Sequence, residues 1–277
     1  MTPDKPDPEY VLGASASERE RLAQQADVFN PLTERIFRQA GIQPGMRVLD
    51  VGCGTGDVSL LVQRLVEKDG SVLGVDRQAA SLETAQSRAT RMRIKNISFL
   101  ESDFRYLDPK HGVFDAVVGR LVLMYQSDPA DAVRLVAQKV RPGGVIAFHE
   151  LAATTGMAHP PLPLREQVAR WVTETFRRSG AETLMGIRLY STFEAAGLHS
   201  PQIFAEPIVD EPSSPYPWVP MVSVLLPKMV ELGVAMEAEV GIDTLAVRLE
   251  QEFIDVKGIA VPYISFGAWA VRSGELA

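Results

Sequence analysis

The chain has 277 residues, 46% of them apolar and 23% charged, with a net charge of −7 and a single cysteine, Cys53. That length suits one α/β core carrying an extra helical subdomain, and lone Cys53 excludes a disulfide framework, in keeping with a reducing cytoplasm. No apolar run approaches the ~20 residues of a membrane span, and the acidic balance argues against a nucleic-acid backbone as partner, although Arg88, Arg91, Arg93 and Lys95 make a local basic patch that reads as a solvated helix end.

In chain order, residues 1–9 are Pro-rich, lack the basic and apolar regions of a signal peptide, and read as a disordered lead-in. Glu18 to Ala40 carries Leu22, Ala26, Phe29, Leu32, Ile36 and Phe37 in an amphipathic pattern that Pro31 is expected to split into two short helices. Strands and helices then alternate. Strand Arg47–Val51 precedes a helix with Val58, Leu61, Val62, Leu65 and Val66 at helical spacing, and strand Ser71–Val75 precedes a helix from Ala79 to Arg91. Strands follow at Ile97–Leu100 and Phe114–Val118, then a helix entered through Asp128-Pro129, a turn at Arg141-Pro142-Gly143-Gly144, and strand Val145–Phe148. Such alternation predicts a parallel sheet with crossover helices. Beyond Glu150, helices are expected near Arg165–Ser179 and Ser191–Ala196, a strand at Gln202–Val209, helices at Met221–Glu231 and Ile242–Glu252, and a last strand at Tyr263–Val271.

The first strand leaves through Asp50-Val51-Gly52-Cys53-Gly54-Thr55-Gly56. Glycines let backbone approach a ligand closely, so this loop is a cradle. A dinucleotide-binding loop needs its third glycine at position 57, where Asp57 stands and would repel a diphosphate. The loop therefore suits a ligand without phosphates, and an acid there is able to attract a cation or amino group.

The pattern D-x-G-x-G-x-G resembles motif I of class I S-adenosylmethionine-dependent methyltransferases of the bacterial small-molecule type. The resemblance implies an α/β fold with a Rossmann-like seven-stranded sheet, mostly parallel with one antiparallel strand, helices on both faces, and a core over 44–277. It further implies an N-terminal helical lid over 10–43 and a helical cap insertion over 211–258 before the last strand. For that insertion, extra packing layers or a homodimer contact stay open. S-adenosyl-L-methionine is the implied cofactor, held by Asp50, Gly52, Cys53 and Gly54 of the loop.

Asp76, with Arg77 after it, ends the second strand about 20 residues past the loop, the offset of an acid that binds ribose hydroxyls. Ser102, Asp103 and Phe104 leave the third strand, where the resemblance assigns Asp103 to the adenine amino group and Phe104 to the ring. It likewise implies that Arg120 marks the methionine end, that Tyr125 borders a small-molecule acceptor, and that Tyr10 and Gln24 of the lid close the cofactor pocket. Tyr216 and Trp218 offer an aromatic wall for a flat acceptor, or wedge the insertion against the core. His149, leaving the fifth strand, is the candidate general base and acceptor contact; a histidine at a strand end also serves purely structural roles. No ligand spacing supports a metal site. The implied reaction is methyl transfer to oxygen, nitrogen or carbon of a small acceptor. A cofactor-binding relative doing non-methylating or regulatory work is the first alternative, and an NAD-dependent oxidoreductase, disfavoured by Asp57, the second.

Overall fold

A computed structural model describes residues 7–8, 12, 16–154 and 157–274. Five strands, β1 (Arg47–Val51), β2 (Ser71–Asp76), β3 (Ile97–Glu101), β4 (Phe114–Arg120) and β5 (Val140–Ala153), lie parallel in the order β3-β2-β1-β4-β5. The final strand, β8 (Ile259–Val271), runs antiparallel to β5 on one side and to β7 (Gln202–Asp210) on the other. The sheet has eight strands rather than seven. Ala260 pairs with Ala158 on one flank and Asp210 on the other, so β6 (Ala158–His159) resumes the β5 edge after a break. Two residues are too short for a periodic signal.

Residues of the parallel strands divide between two cores. Leu49, Val117 and Ile146 join the cluster over α4 (Pro129–Ala137) and α6 (Met185–Ala195), while Val48, Ala116 and Ala147 join the cluster under α2 (Asp57–Val66) and the end of α1 (Ala16–Gln39). Helices therefore cover both faces, which is why these strands read as continuous apolar runs. The remaining helix of this half, α3 (Ala79–Arg91), packs on β3 and β2.

α1 is one continuous helix through Pro31, not two. An interior proline costs ~3 kcal/mol, but Phe29, Leu32, Ile36 and Phe37 are all buried, and each such burial contributes ~1.5–3 kcal/mol. A third core is built where the middle of α1, through Phe29 and Leu32, joins α5 (Pro163–Arg178), α7 (Trp218–Glu231) and α9 (Ile242–Val256), with the short α8 (Glu237–Val240) between the last two. α7 to α9 lie between β7 and β8 in the chain. Among the described residues no helix is long and apolar enough to cross a membrane.

Candidate functional site

The glycine loop joins β1 to α2 with Gly52, Gly54 and Gly56 all at positive φ. A Cβ on Gly52 would stand 2.6 Å from Val122 Cγ2, whereas a Cβ on Gly54 would meet no protein atom within 4 Å; both residues line the cavity. The loop is therefore packed on one side and shaped for a ligand on the other. Asp76 ties it down: Gly54 N donates to Asp76 Oδ2 at 2.9 Å and Gln78 N donates to Oδ1 at 2.8 Å. A carboxylate offers about four acceptor lone pairs, so the side chain also has capacity for a ligand's hydroxyls.

Asp57 does not present an open charge. Arg88 Nη2 donates to its Oδ1 at 2.7 Å and Thr55 Oγ1 to its Oδ2 at 2.9 Å, so the cation it attracts is internal to the protein. Asp50 lies beneath the loop, 1% exposed, with Ser59 Oγ donating to Oδ2 at 2.5 Å. Burial pushes its carboxyl up to about 7, and it is not part of the cavity wall. Cys53, Asp76, Arg77, Ser102 and Phe104 do line the cavity, joined by Gln78 and Ser81. Asp103 does not. It turns to Arg105, which donates Nη2 to Oδ2 at 2.6 Å and its backbone N to Oδ1 at 2.9 Å. Burial alone would raise the Asp103 carboxyl, but these bonds outweigh it and hold the group below its ordinary value.

Arg120 reaches the cavity from the end of β4 and is held by α1, donating Nη1 to Asn30 Oδ1 at 2.9 Å and to Thr33 Oγ1 at 3.0 Å. Beyond it the cavity continues past Leu121 and Val122 into an aromatic chamber. Arg21, Gln25 and Phe29 face it at i, i+4, i+8 along α1, and Tyr125, Tyr216 and Tyr263 stand on other walls. Tyr216 packs 5.5 Å from Tyr263 and 4.7 Å from Trp218, ring centroid to centroid.

Trp218 itself is behind this wall, lining a separate groove. Its Nε1 donates to the fully buried Asp210 Oδ2 at 2.8 Å, Tyr216 N donates to Oδ1 at 2.8 Å, and Arg165 Nε pairs with Oδ2 at 3.2 Å. Trp218 is thus the wedge that fixes Tyr216, not an acceptor contact.

His149 is corrected in both expected roles. It is 0% exposed and outside the cavity wall, with Nδ1 2.9 Å from Thr33 Oγ1 and Nε2 2.7 Å from Ser265 Oγ. Burial, with the charge of Arg120 nearby, pushes its pKa down to about 3. Both ring nitrogens are engaged and the ring stays neutral, so it is neither a poised base nor a substrate contact. Neighbouring Glu150 is equally buried and accepts from Val122 N at 2.9 Å and Leu123 N at 2.8 Å. Gln24 is exposed and lines the outer groove; Gln25, one position on, faces the chamber. Tyr10 lies outside the described residues. Sequence reasoning missed Arg21, Gln25 and Phe29, although their four-residue spacing on an amphipathic helix was a usable signal. Among the described residues no three His, Cys, Asp or Glu side chains are grouped to hold a metal ion.

Residues 42–197 match the methyltransferase-domain family. A ubiquinone biosynthesis O-methyltransferase of Alkalilimnicola ehrlichii is 34% identical over 124 residues, covering 44% of this chain and 49% of that protein. An aklanonic acid methyltransferase of a Streptomyces species is 31% identical over 134 residues, covering 48% of this chain and 60% of that one. The chain spans about half the length of the curated relatives it matches. Among solved structures, the YcgJ protein of Bacillus subtilis aligns with a TM-score of 0.55 at 18% identity, over 88% of this chain and 98% of that one, a likeness of fold.

Proposed function

We propose, from the premise that the chain belongs to the methyltransferase-domain family of class I S-adenosylmethionine-dependent enzymes, that it transfers a methyl group from S-adenosylmethionine to oxygen, nitrogen or carbon of a small organic acceptor. The observation that carries this reading is one continuous cavity, with a glycine loop tied to the Asp76 carboxylate at one end and an aromatic chamber at the other. The open face of Gly54 and the acid at the end of β2 fit a nucleoside without phosphates.

In this reading Asp76 holds the ribose hydroxyls, Ser102 and Phe104 border the adenine, and Arg120 with the backbone at 52–54 holds the amino-acid end. Asp50 and Asp103 act from behind, one under the loop and one through Arg105. The cofactor supplies a methyl group already activated by a sulfonium. The chain contributes alignment of acceptor and donor and a wall of Phe29, Tyr125, Tyr216 and Tyr263 that keeps water away. α1 serves as the lid and α7 to α9 as the acceptor cap, and a free buried thiol at Cys53 suits a cytoplasmic setting.

Titration calorimetry with S-adenosylmethionine tests the donor site, with saturable binding expected for wild type and strong weakening in Asp76→Ala. Absence of saturable binding to the wild-type protein refutes the reading. Mass spectrometry of a turned-over acceptor tests the reaction: a gain of one methyl group supports transfer, and an altered product of unchanged mass supports a non-methylating relative.

A further inference from the structure

Resting on the donor and acceptor ends proposed above, we infer that Glu150, which stands outside the cavity wall, is the positioning residue for the stretch of wall between them. That stretch is the turn from Leu121 to Tyr125. β4 ends at Arg120, and the chain reverses through Leu121 at φ +55°, a left-handed conformation that a residue with a Cβ adopts only under constraint. The constraint comes from two consecutive residues of β5. Leu121 N donates to the His149 carbonyl oxygen at 2.9 Å, and Val122 N and Leu123 N both donate to Glu150 Oε1, at 2.9 and 2.8 Å. Further along the turn, the Met124 carbonyl oxygen accepts from Glu182 N at 2.9 Å.

Both ends of the cavity meet in this turn. Val122 covers the glycine loop, where a Cβ on Gly52 would collide with its Cγ2. Met124 and Tyr125 belong to the chamber wall, while Leu123 is fully buried and anchors the turn in the core over α4 and α6. Glu150 is fully buried too, and its Oε2 has no hydrogen-bond partner among the described residues. A carboxylate buried with one oxygen idle contributes poorly to stability, and its engaged oxygen goes wholly to the turn. In-line transfer tolerates little misplacement, since ~1 Å costs about 100-fold in rate. A turn that sets Val122 against the donor loop and Tyr125 against the acceptor fixes the distance across which the methyl group passes.

The experiment places Glu150→Gln, Glu150→Leu and Glu150→Asp in the full chain. Glutamine keeps an oxygen that accepts from both N–H groups, with its amide nitrogen in place of the idle Oε2. Leucine fills the space without an acceptor, and aspartate draws the carboxylate back by one methylene. The first readout needs no ligand: alkylation by N-ethylmaleimide of Cys53, the single cysteine, which is buried next to Gly52 in the cavity wall with its thiol pushed up by burial. Glu150→Leu is expected to react ~10-fold faster than wild type or more, the factor that one lost hydrogen bond to a carboxylate gives to local opening. Glu150→Gln is expected to stay within about threefold of wild type because the acceptor remains, even where urea unfolding finds it less stable. Glu150→Asp is expected in between, and decides if Glu150→Leu does not fold. The second readout is turnover of the acceptor found by mass spectrometry. There Glu150→Leu is expected to lose kcat by roughly 10–100-fold and Glu150→Gln to restore it, both with S-adenosylhomocysteine affinity within about threefold of wild type. Wild-type alkylation or wild-type kcat in Glu150→Leu, equal effects of the Gln and Leu variants, or rates that follow stability rather than the retained oxygen overturn the inference. Failure of S-adenosylhomocysteine to bind wild type sinks the donor-site reading instead, and the alkylation rates, which need neither ligand, still decide whether Glu150 holds the wall.

Discussion

Replacing His149 with glutamine separates a buried structural histidine from a catalytic base. Folded His149 has a pKa of about 3 against an ordinary 6.5, so below pH 6.5 the unfolded chain takes up a proton that the folded one refuses. Its contribution to stability is complete above pH 6.5 and drains away as pH falls toward 3. At ~1.36 kcal/mol per pH unit, the loss between pH 6.5 and 4.5 is ~2.7 kcal/mol, a large share of a typical 5–15 kcal/mol. Asp50 and Glu150 act in the opposite sense. Burial raises both to about 7, so the folded state holds protons that the unfolded state has released, a stabilisation present at low pH and lost as pH rises through about 7.

Those carboxyls are common to both proteins, so the difference between wild type and His149→Gln isolates the histidine. Urea unfolding followed by tryptophan fluorescence at pH 6.5, 5.5 and 4.5 is expected to show the variant's disadvantage shrinking by ~1.4 kcal/mol per pH unit. The pH profile of kcat/KM is expected to keep its shape. Parallel stability curves would refute the neutral buried assignment. A kcat loss of 100-fold or more, with disappearance of an acid limb, would restore the general base.

Asp76→Ala is expected to weaken S-adenosylhomocysteine by roughly 10–100-fold or more in calorimetry, since bonds to a charged partner contribute ~1.5–3 kcal/mol each, with Asp76→Asn intermediate; affinity within twofold of wild type contradicts the ribose role. Gly54→Ala is expected to unfold within ~1–2 kcal/mol of wild type, the cost of a left-handed backbone with a Cβ, and, on the proposed donor site, to weaken cofactor binding, since Gly54 lines the cavity. Gly52→Ala, which collides with Val122, is expected to cost more stability than Gly54→Ala in the same melts. Trp218→Phe leaves the Asp210 Oδ2 bond unmade and is expected to lower stability by ~1–3 kcal/mol, with a weaker acceptor KM as Tyr216 loosens.

The sheet was legible because parallel strands buried on both faces show as apolar runs punctuated by glycine and proline. That Gly52, Gly54 and Asp76 come together at one cavity was legible because they sit at fixed offsets along one β-α-β unit. Of the aromatic chamber only Tyr125 and Tyr216 were legible, because its other residues come from α1, α5, α7 and β8, brought together only by the fold. Choosing Gln25 over Gln24 required the phase of α1, which Phe29 and Leu32 set by burying. His149 misled because a strand end at the sheet's C-terminal edge is where sites form, yet α1 and β8 cover that position. Asp103 has the right offset, but Arg105 two residues on captures its carboxylate.

That α1 is a single helix through Pro31 implies, on the proposed reading, a thermodynamic relation between donor and acceptor. One helix lines the chamber with Arg21, Gln25 and Phe29 and, a turn later, holds Arg120 through Asn30 and Thr33, which in the proposed reading are the acceptor and donor ends. On that reading a ligand that restrains α1 at one end restrains it at the other, and the second to arrive is expected to meet a smaller entropic cost. Linkage requires the gain to be mutual: the factor by which bound donor tightens acceptor is the factor by which acceptor tightens donor. On the proposed reading donor and acceptor are expected to be heterotropic partners, which calorimetry of each ligand in the presence of the other checks.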